Sequence, residues 1–198
     1  MLASYFSTSR IMAMLYAMVI KVRLCCKGVV FAGVIALVCA AGAASAQDNK
    51  PYNDPEFLSL AFGAFDFNRQ KDEGVEGRIE YRSDNKLLFF KPFGAIGYAT
   101  SGHGFVGAGV LLDLYFGRRI VVTPSFAPHF YVGGDDDLDL DYPLEFRSQL
   151  EMSYRFNDRS RMGLAVSHYS NASLGDTNPG TESAMIYYSL PLNNILGR

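Results

Sequence analysis

Three residues in the last third of this 198-residue chain have the types and spacing of a hydrolytic unit: His168, Ser170 and Glu182. A serine nucleophile needs a base to take its proton and a third group to orient that base. On a β-strand side chains alternate faces with period two, which puts His168 and Ser170 on one face, one pleat apart. Glu182 opens the next apolar run, so a hairpin across the polar loop 171–181 would return its carboxylate beside His168. Asn171 and Asn178, in or next to that loop, carry amide donors suited to an oxyanion hole. Histidine and serine two apart are also common by chance. The plain alternative is a polar strand end at a membrane interface.

The faces these residues share are apolar. Met162, Leu164 and Val166 have the parity of His168 and Ser170, and Ala184, Ile186, Tyr188, Leu190 and Leu192 have that of Glu182. In a soluble protein this side would be core, whereas in a membrane barrel it would meet lipid. The remaining pattern favours the membrane barrel without fixing which side is the interior. Strand-like segments follow one another at about 57–68, 75–82, 87–99, 105–116, 120–131 and 140–156, ahead of the pair containing the three residues. Eight are expected in all, with no helical periodicity. The fifth is the weakest because it holds Pro124 and Pro128, which cannot donate to a ladder.

The 140–156 segment alternates most clearly, with Leu140, Tyr142, Leu144, Phe146, Leu150, Met152, Tyr154 and Phe156 opposed to Asp141, Glu145, Arg147, Gln149, Glu151 and Arg155. Its length exceeds an ordinary strand and suits one that crosses a bilayer and protrudes. Charges of both signs on the face opposite the apolar one suit the polar interior of a small barrel. Connections also alternate, shorter after the second, fourth and sixth strands than after the others. These features predict an all-β fold, an eight-stranded antiparallel transmembrane β-barrel. A lipocalin-like soluble carrier would invert the pattern.

Residues 1–46 read as a cleavable secretory signal. Lys21, Arg23 and Lys27 precede an apolar run that ends at Ala44-Ser45-Ala46, leaving 47–198 as the barrel domain. Four of the 18 Lys and Arg fall in this leader (Arg10, Lys21, Arg23, Lys27) and none of the 20 Asp and Glu, so the remainder carries a net −6. That balance argues against nucleic-acid binding. Cys25, Cys26 and Cys39 all lie in the leader, so the domain has no disulfide and no thiolate ligand. Glu76, Arg78, Glu80, Arg82, Glu145, Arg147, Glu151 and Arg155 read as a lumen plug of paired charges. His103 and His129 have no ligand-like neighbours. The acidic run Asp135, Asp136, Asp137, Asp139 and Asp141 lacks the glycine and glutamate of a calcium loop.

The segment His168-Tyr169-Ser170-Asn171-Ala172, followed by Asn178-Pro179-Gly180 and Glu182-Ser183, resembles the outer-membrane lipid A 3-O-deacylase (PagL) family. The resemblance implies an eight-stranded barrel with an outward Ser–His–Glu triad: Ser170 as nucleophile, His168 as general base, Glu182 as orienting carboxylate. Asn171 and Asn178 would shape the site or its oxyanion hole. Ser173 stands where the family pattern has a small glycine. The implied substrate is lipid A in the outer leaflet of a Gram-negative outer membrane, cleaved without metal or cofactor. A homodimer is left open. The alternatives are an outer-membrane phospholipase, which would share the triad, and a non-catalytic small barrel.

Overall fold

The computed structural model describes residues 54–133 and 138–196. The expected leader and Asp135, Asp136 and Asp137 lie outside the described residues. The strands are β1 (Phe57–Phe65), β2 (Gly74–Arg82), β3 (Lys91–Ala99), β4 (Gly104–Leu111), β5 (Leu114–Phe116), β6 (Ile120–Val132), β7 (Leu144–Arg155), β8 (Arg161–Ser170) and β9 (Thr181–Pro191), followed by a short helix α1 (Leu192–Leu196). They form one antiparallel sheet in the order β4-β3-β2-β1-β9-β8-β7-β6-β5. Its ends meet because β4 also pairs with β6. β4 and β5 lie in turn along β6, with breaks in the pairing at Ala108–Gly109 and at Leu112–Asp113. The architecture is therefore a closed barrel of eight crossing strands.

The alternation resolves unambiguously. Inward positions are buried and hold nearly all the charged side chains of the strands, together with apolar residues such as Phe57, Phe65, Phe93, Phe105 and Met185, while outward positions are apolar and exposed: Leu60, Phe62, Ile79, Ile96, Val106, Phe130, Leu150, Met152, Leu164 and Val166 all belong to the exposed set. This is the inverse of a soluble barrel, and it suits a strand cylinder whose outer solvent is hydrocarbon. Among the described residues no helix is long and apolar enough to cross a membrane. Crossing is by strands.

The lumen is filled by a charge network. Arg78 donates to Glu76 Oε1, Gln149 Oε1 and the Tyr187 and Tyr169 hydroxyls, and Arg82 bridges Glu80 and Glu151 at 2.8 and 2.7 Å. Arg147 reaches Glu80 at 2.8 Å, and Ser183 donates to Glu76. Two members of the sequence-derived set fall outside this network. Arg155 pairs with Asp54 at the turn end of the barrel, where Arg161 joins Asp54 to Asp113. Glu145 is buried opposite His129, and among the described residues neither its carboxylate nor His129 Nε2 has a hydrogen-bond partner.

Several boundaries differ from the sequence reading. The 140–156 segment is not one long strand: β7 has 12 residues. Asp141 adopts φ 68°, which breaks the strand, and Leu138 and Leu140 fold into the barrel mouth against Phe65, Phe105, Tyr131 and Tyr169. β1 stops at Phe65 because Asp66 turns at φ 51°, and β3 starts at Lys91 because Leu87 and Phe90 close a tight turn around Leu88 at φ 63°. The alternation of connection length is partial: 83–90, at the turn end, is longer than 100–103, at the other. β6 is the longest strand, 13 residues, despite its prolines. Both fall where its ladder with β4 and β5 is interrupted, beside Ala108–Gly109 and Leu112–Asp113, so few hydrogen bonds are forfeited.

The network predicts a specific fragility. Glu80→Ala leaves Arg82 and Arg147 buried without their shared carboxylate, a change that costs about 3–5 kcal/mol. The chain has no tryptophan, so the check is the urea concentration at which the compact, fast-migrating band is lost on unheated gels.

Candidate active site

The rim opposite the short turns carries the connections 66–73, 100–103 and 171–180 and the described residues 138–143, and the three candidate residues sit there. In β8 the parity of Met162, Leu164 and Val166, all exposed on the lipid side, continues to His168 and Ser170. The inward positions between them, Ser167 and Tyr169, are buried. β9 pairs with β8 in a register that sets Glu182 directly opposite His168. Their side chains meet on the outer face, with His168 Nδ1 and Glu182 Oε1 3.1 Å apart. Glu182 as carboxylate can only accept, so Nδ1 carries the proton and Nε2 keeps a lone pair, the state a general base requires. The imidazole is 44% exposed and the carboxylate 15%, so the histidine faces outward from behind a shielded acid. Ser170 is the next outward residue of the same strand. No hydrogen bond joins it to His168 among the described residues, and such contacts often tighten only when substrate binds.

Both asparagines lie on the loop 171–180, in different ways. Asn171 is buried, and its amide nitrogen donates to the carbonyls of Leu140 and Thr177 at 3.1 and 2.8 Å. Its Oδ1 accepts from Ser173 N–H at 2.8 Å. That side chain ties the loop to itself and to the segment before β7, and its donors are already engaged. Asn178 is exposed, and its Oδ1 accepts the Asn171 N–H at 3.2 Å. Asp141 completes the clamp by accepting Thr177 N–H.

Two residues at this rim were not singled out by the sequence. Arg69 stands with Nε 3.6 Å from Glu182 Oε1, the oxygen that also faces His168. It arrives there because Asp66 accepts the Lys71 and Asp72 N–H groups at 2.6 and 3.0 Å and the Thr181 hydroxyl at 3.0 Å, bolting the 66–73 loop to the start of β9. The loop is further held by buried His103, which bridges Asp72 Oδ2 at 2.7 Å and the Tyr131 hydroxyl at 3.0 Å. The histidine is thus a loop anchor in the barrel mouth. The second residue, Ser148, lies directly opposite His168 on the β7 side. A charged loop gives no sequence signal for which of its cations turns towards Glu182, and a serine inside an apolar column carries no signal of its own. Among the described residues no group of three or more His, Cys, Asp or Glu is arranged to hold a metal.

Fold and surface together define a small transmembrane β-barrel with a polar cluster on its lipid-facing rim. The profile of the lipid A 3-O-deacylase (PagL) family matches residues 74–191, and the chain belongs to that family. It is accordingly a lipid A deacylase, a hydrolase of the outer membrane. The crystal structure of the outer membrane enzyme PagL shares the fold, with a TM-score of 0.56 at 20% identity over 68% of this chain and 99% of that one. A structure from the de novo design of transmembrane β-barrels matches with a TM-score of 0.45 at 12% identity over 69% of this chain and 98% of that one. No curated protein matches the sequence.

Backbone geometry gives two tests of how the loop serves the site. Gly180 adopts φ 61°, and a Cβ there would lie 2.9 Å from the Tyr169 carbonyl and 3.1 Å from His168 Cε1. Gly180→Ala should displace the imidazole and lower the deacylation rate by at least about tenfold while the barrel stays folded, read as lipid A turnover beside gel mobility. Ser173 takes φ 64°, the left-handed region that glycine tolerates and other residues enter at a cost of roughly 1–2 kcal/mol. Ser173→Gly, which removes that cost, should raise the urea midpoint without loss of turnover.

Proposed function

We propose that the chain is a serine-type lipid A 3-O-deacylase, which hydrolyses the ester-linked 3-hydroxyacyl chain at position 3 of lipid A. Ser170 is the nucleophile, His168 the general base and Glu182 the carboxylate that orients it. The observation that carries this reading is the in-register His168–Glu182 pair, hydrogen-bonded on the lipid-facing side of a rim where Ser170 is the next outward residue. A buried core triad would serve a soluble substrate. One on the outer wall serves a substrate that lies in the membrane beside the barrel.

The steps follow from the groups present. His168 Nε2 takes the Ser170 hydroxyl proton as Oγ attacks the ester carbonyl, and Glu182 stabilises the imidazolium that results. The oxyanion is met from the loop side. Asn178, whose oxygen accepts the Asn171 N–H, keeps its amide donors for the oxyanion in this reading, while Asn171 holds the loop in place. Collapse of the intermediate expels the sugar 3-oxygen, which takes the proton from His168. Water activated by the same nitrogen then cleaves the acyl-serine and releases the 3-hydroxy fatty acid. Arg69 limits the freedom of Glu182 from the opposite side.

Both chain ends of the barrel and its short turns lie at one rim and the site at the other. With the turn rim periplasmic, Ser170 stands at the level of the outer leaflet, where lipid A resides. Export follows from residues 1–46 acting as a cleaved signal, leaving 47–198 in the membrane.

Mass spectrometry of lipid A from outer membranes that contain the wild type or Ser170→Ala tests the assignment. The wild type should remove one 3-hydroxyacyl chain, and Ser170→Ala should leave lipid A intact despite a folded barrel. His168→Ala and Glu182→Ala should fall by about 10³-fold or more and by a smaller factor, respectively. Deacylated phospholipid beside unchanged lipid A would make the enzyme a phospholipase instead.

A further inference from the structure

The outward column of β7 reads Leu144, Phe146, Ser148, Leu150, Met152, Tyr154. Five of these six side chains are large and apolar or aromatic, as a lipid-facing column should be. Ser148 is the exception. It is exposed on the outer face, and its hydroxyl has no hydrogen-bond partner among the described residues. A lone hydroxyl facing hydrocarbon gains nothing for the fold, since the polar group gives up water and receives nothing in return.

Its position is not arbitrary. Cα partners run Phe126–Ser148–His168–Glu182 across β6, β7, β8 and β9. Ser148 is therefore in the same row as the base and its carboxylate, on the side of His168 away from Glu182. Ser170 lies diagonally above it, opposite Phe146. Directly opposed residues of an antiparallel pair have Cβ atoms about 4.5–5.5 Å apart and diagonal ones about 7–8 Å, so Ser148 is within reach of a group bound at either. On its far side Phe126 and Phe146 stack with ring centroids 5.9 Å apart and planes 10° from parallel, an apolar wall beside the hydroxyl.

We propose that Ser148 is a specificity residue that hydrogen-bonds the 3-hydroxyl of the acyl chain being cleaved. This rests on the reading of Ser170 as nucleophile. With the ester carbonyl at Ser170, the chain descends the outer wall towards Val166 and Leu164 into the bilayer. The acyl 3-hydroxyl stands two carbons from that carbonyl, at the level of the row below, which is the row of Ser148. An acyl hydroxyl pressed against the barrel wall needs a partner, and the rest of the neighbouring surface (Phe126, Phe146, Leu150, Val166) offers none. Ser148 both donates and accepts, so it can pair with a hydroxyl in either sense. An unsubstituted chain would leave the serine unpaired, and the site would favour the hydroxyacyl ester.

The test compares two esters of one chain length, p-nitrophenyl 3-hydroxydecanoate and p-nitrophenyl decanoate, in detergent micelles with folded full-length protein. The wild type should show the higher kcat/KM on the hydroxy ester. In Ser148→Ala the ratio of the two kcat/KM values should fall about tenfold, the worth of one hydrogen bond. The exposed serine has no fold contact to lose, and gel mobility verifies that the variant is folded. A ratio unchanged in Ser148→Ala overturns the proposal, whether both rates drop together or neither does. Ser170→Ala retaining activity while Ser148→Ala loses it would instead overturn the nucleophile assignment and take this inference with it.

Discussion

Backbone hydrogen bonding in hydrocarbon is the constraint on which everything else in this molecule depends. A chain that crosses lipid has no water to satisfy its N–H and C=O groups, so each strand must be paired on both edges and the sheet must close. Closure fixes the register of every neighbour, including the eight-strand circuit completed by β4 and β6. Register in turn fixes which side chains oppose one another. A slip of one residue between β8 and β9 would send Glu182 into the lumen and His168 would lose its partner. The geometry of the proposed triad is thus a by-product of the same ladder that closes the barrel.

The two faces divide the labour. Inside, Glu76, Arg78, Glu80, Arg82, Arg147 and Glu151 interlock with Tyr169 and Tyr187, so the wall is backed by a rigid, hydrogen-bonded filling rather than an open channel. Tyr169 is the inward neighbour of both His168 and Ser170, and its hydroxyl accepts from Arg78. The strand that carries the proposed base and nucleophile is therefore clamped from behind. Outside, the same strand presents its chemistry to lipid with little else polar around it. Such an arrangement suits a substrate that is never released into water: it diffuses laterally to the wall and leaves by the same route.

The loops refine what the strands set out. Asp66 and Asn171 play matching parts, each using one polar side chain to satisfy several loop backbone groups and to tie a loop to a neighbouring element, Thr181 in one case and the Leu140 carbonyl in the other. Between them these clamps bracket the rim around Glu182, His168 and Ser170. The left-handed residues Ala172, Ser173 and Gly180 show where the connecting chain must bend most sharply to do so.

Period-two alternation made much of this legible in the sequence. It put His168, Ser170 and Glu182 on the greasy faces of consecutive strands, counted the eight crossings and assigned the opposed charges to one side. A one-dimensional pattern cannot say which side is the interior, because apolar-in and apolar-out barrels alternate identically. Only the closed sheet decided that. Nor could it end strands correctly where a left-handed residue intervenes, as at Asp66 and Asp141, since local parity continues through the break while the backbone does not. Arg69, and Ser148 in the row of His168, became visible only through loop closure and cross-strand register. Those are relations between residues far apart in the chain, fixed when hydrogen bonds between strands choose one pairing out of many.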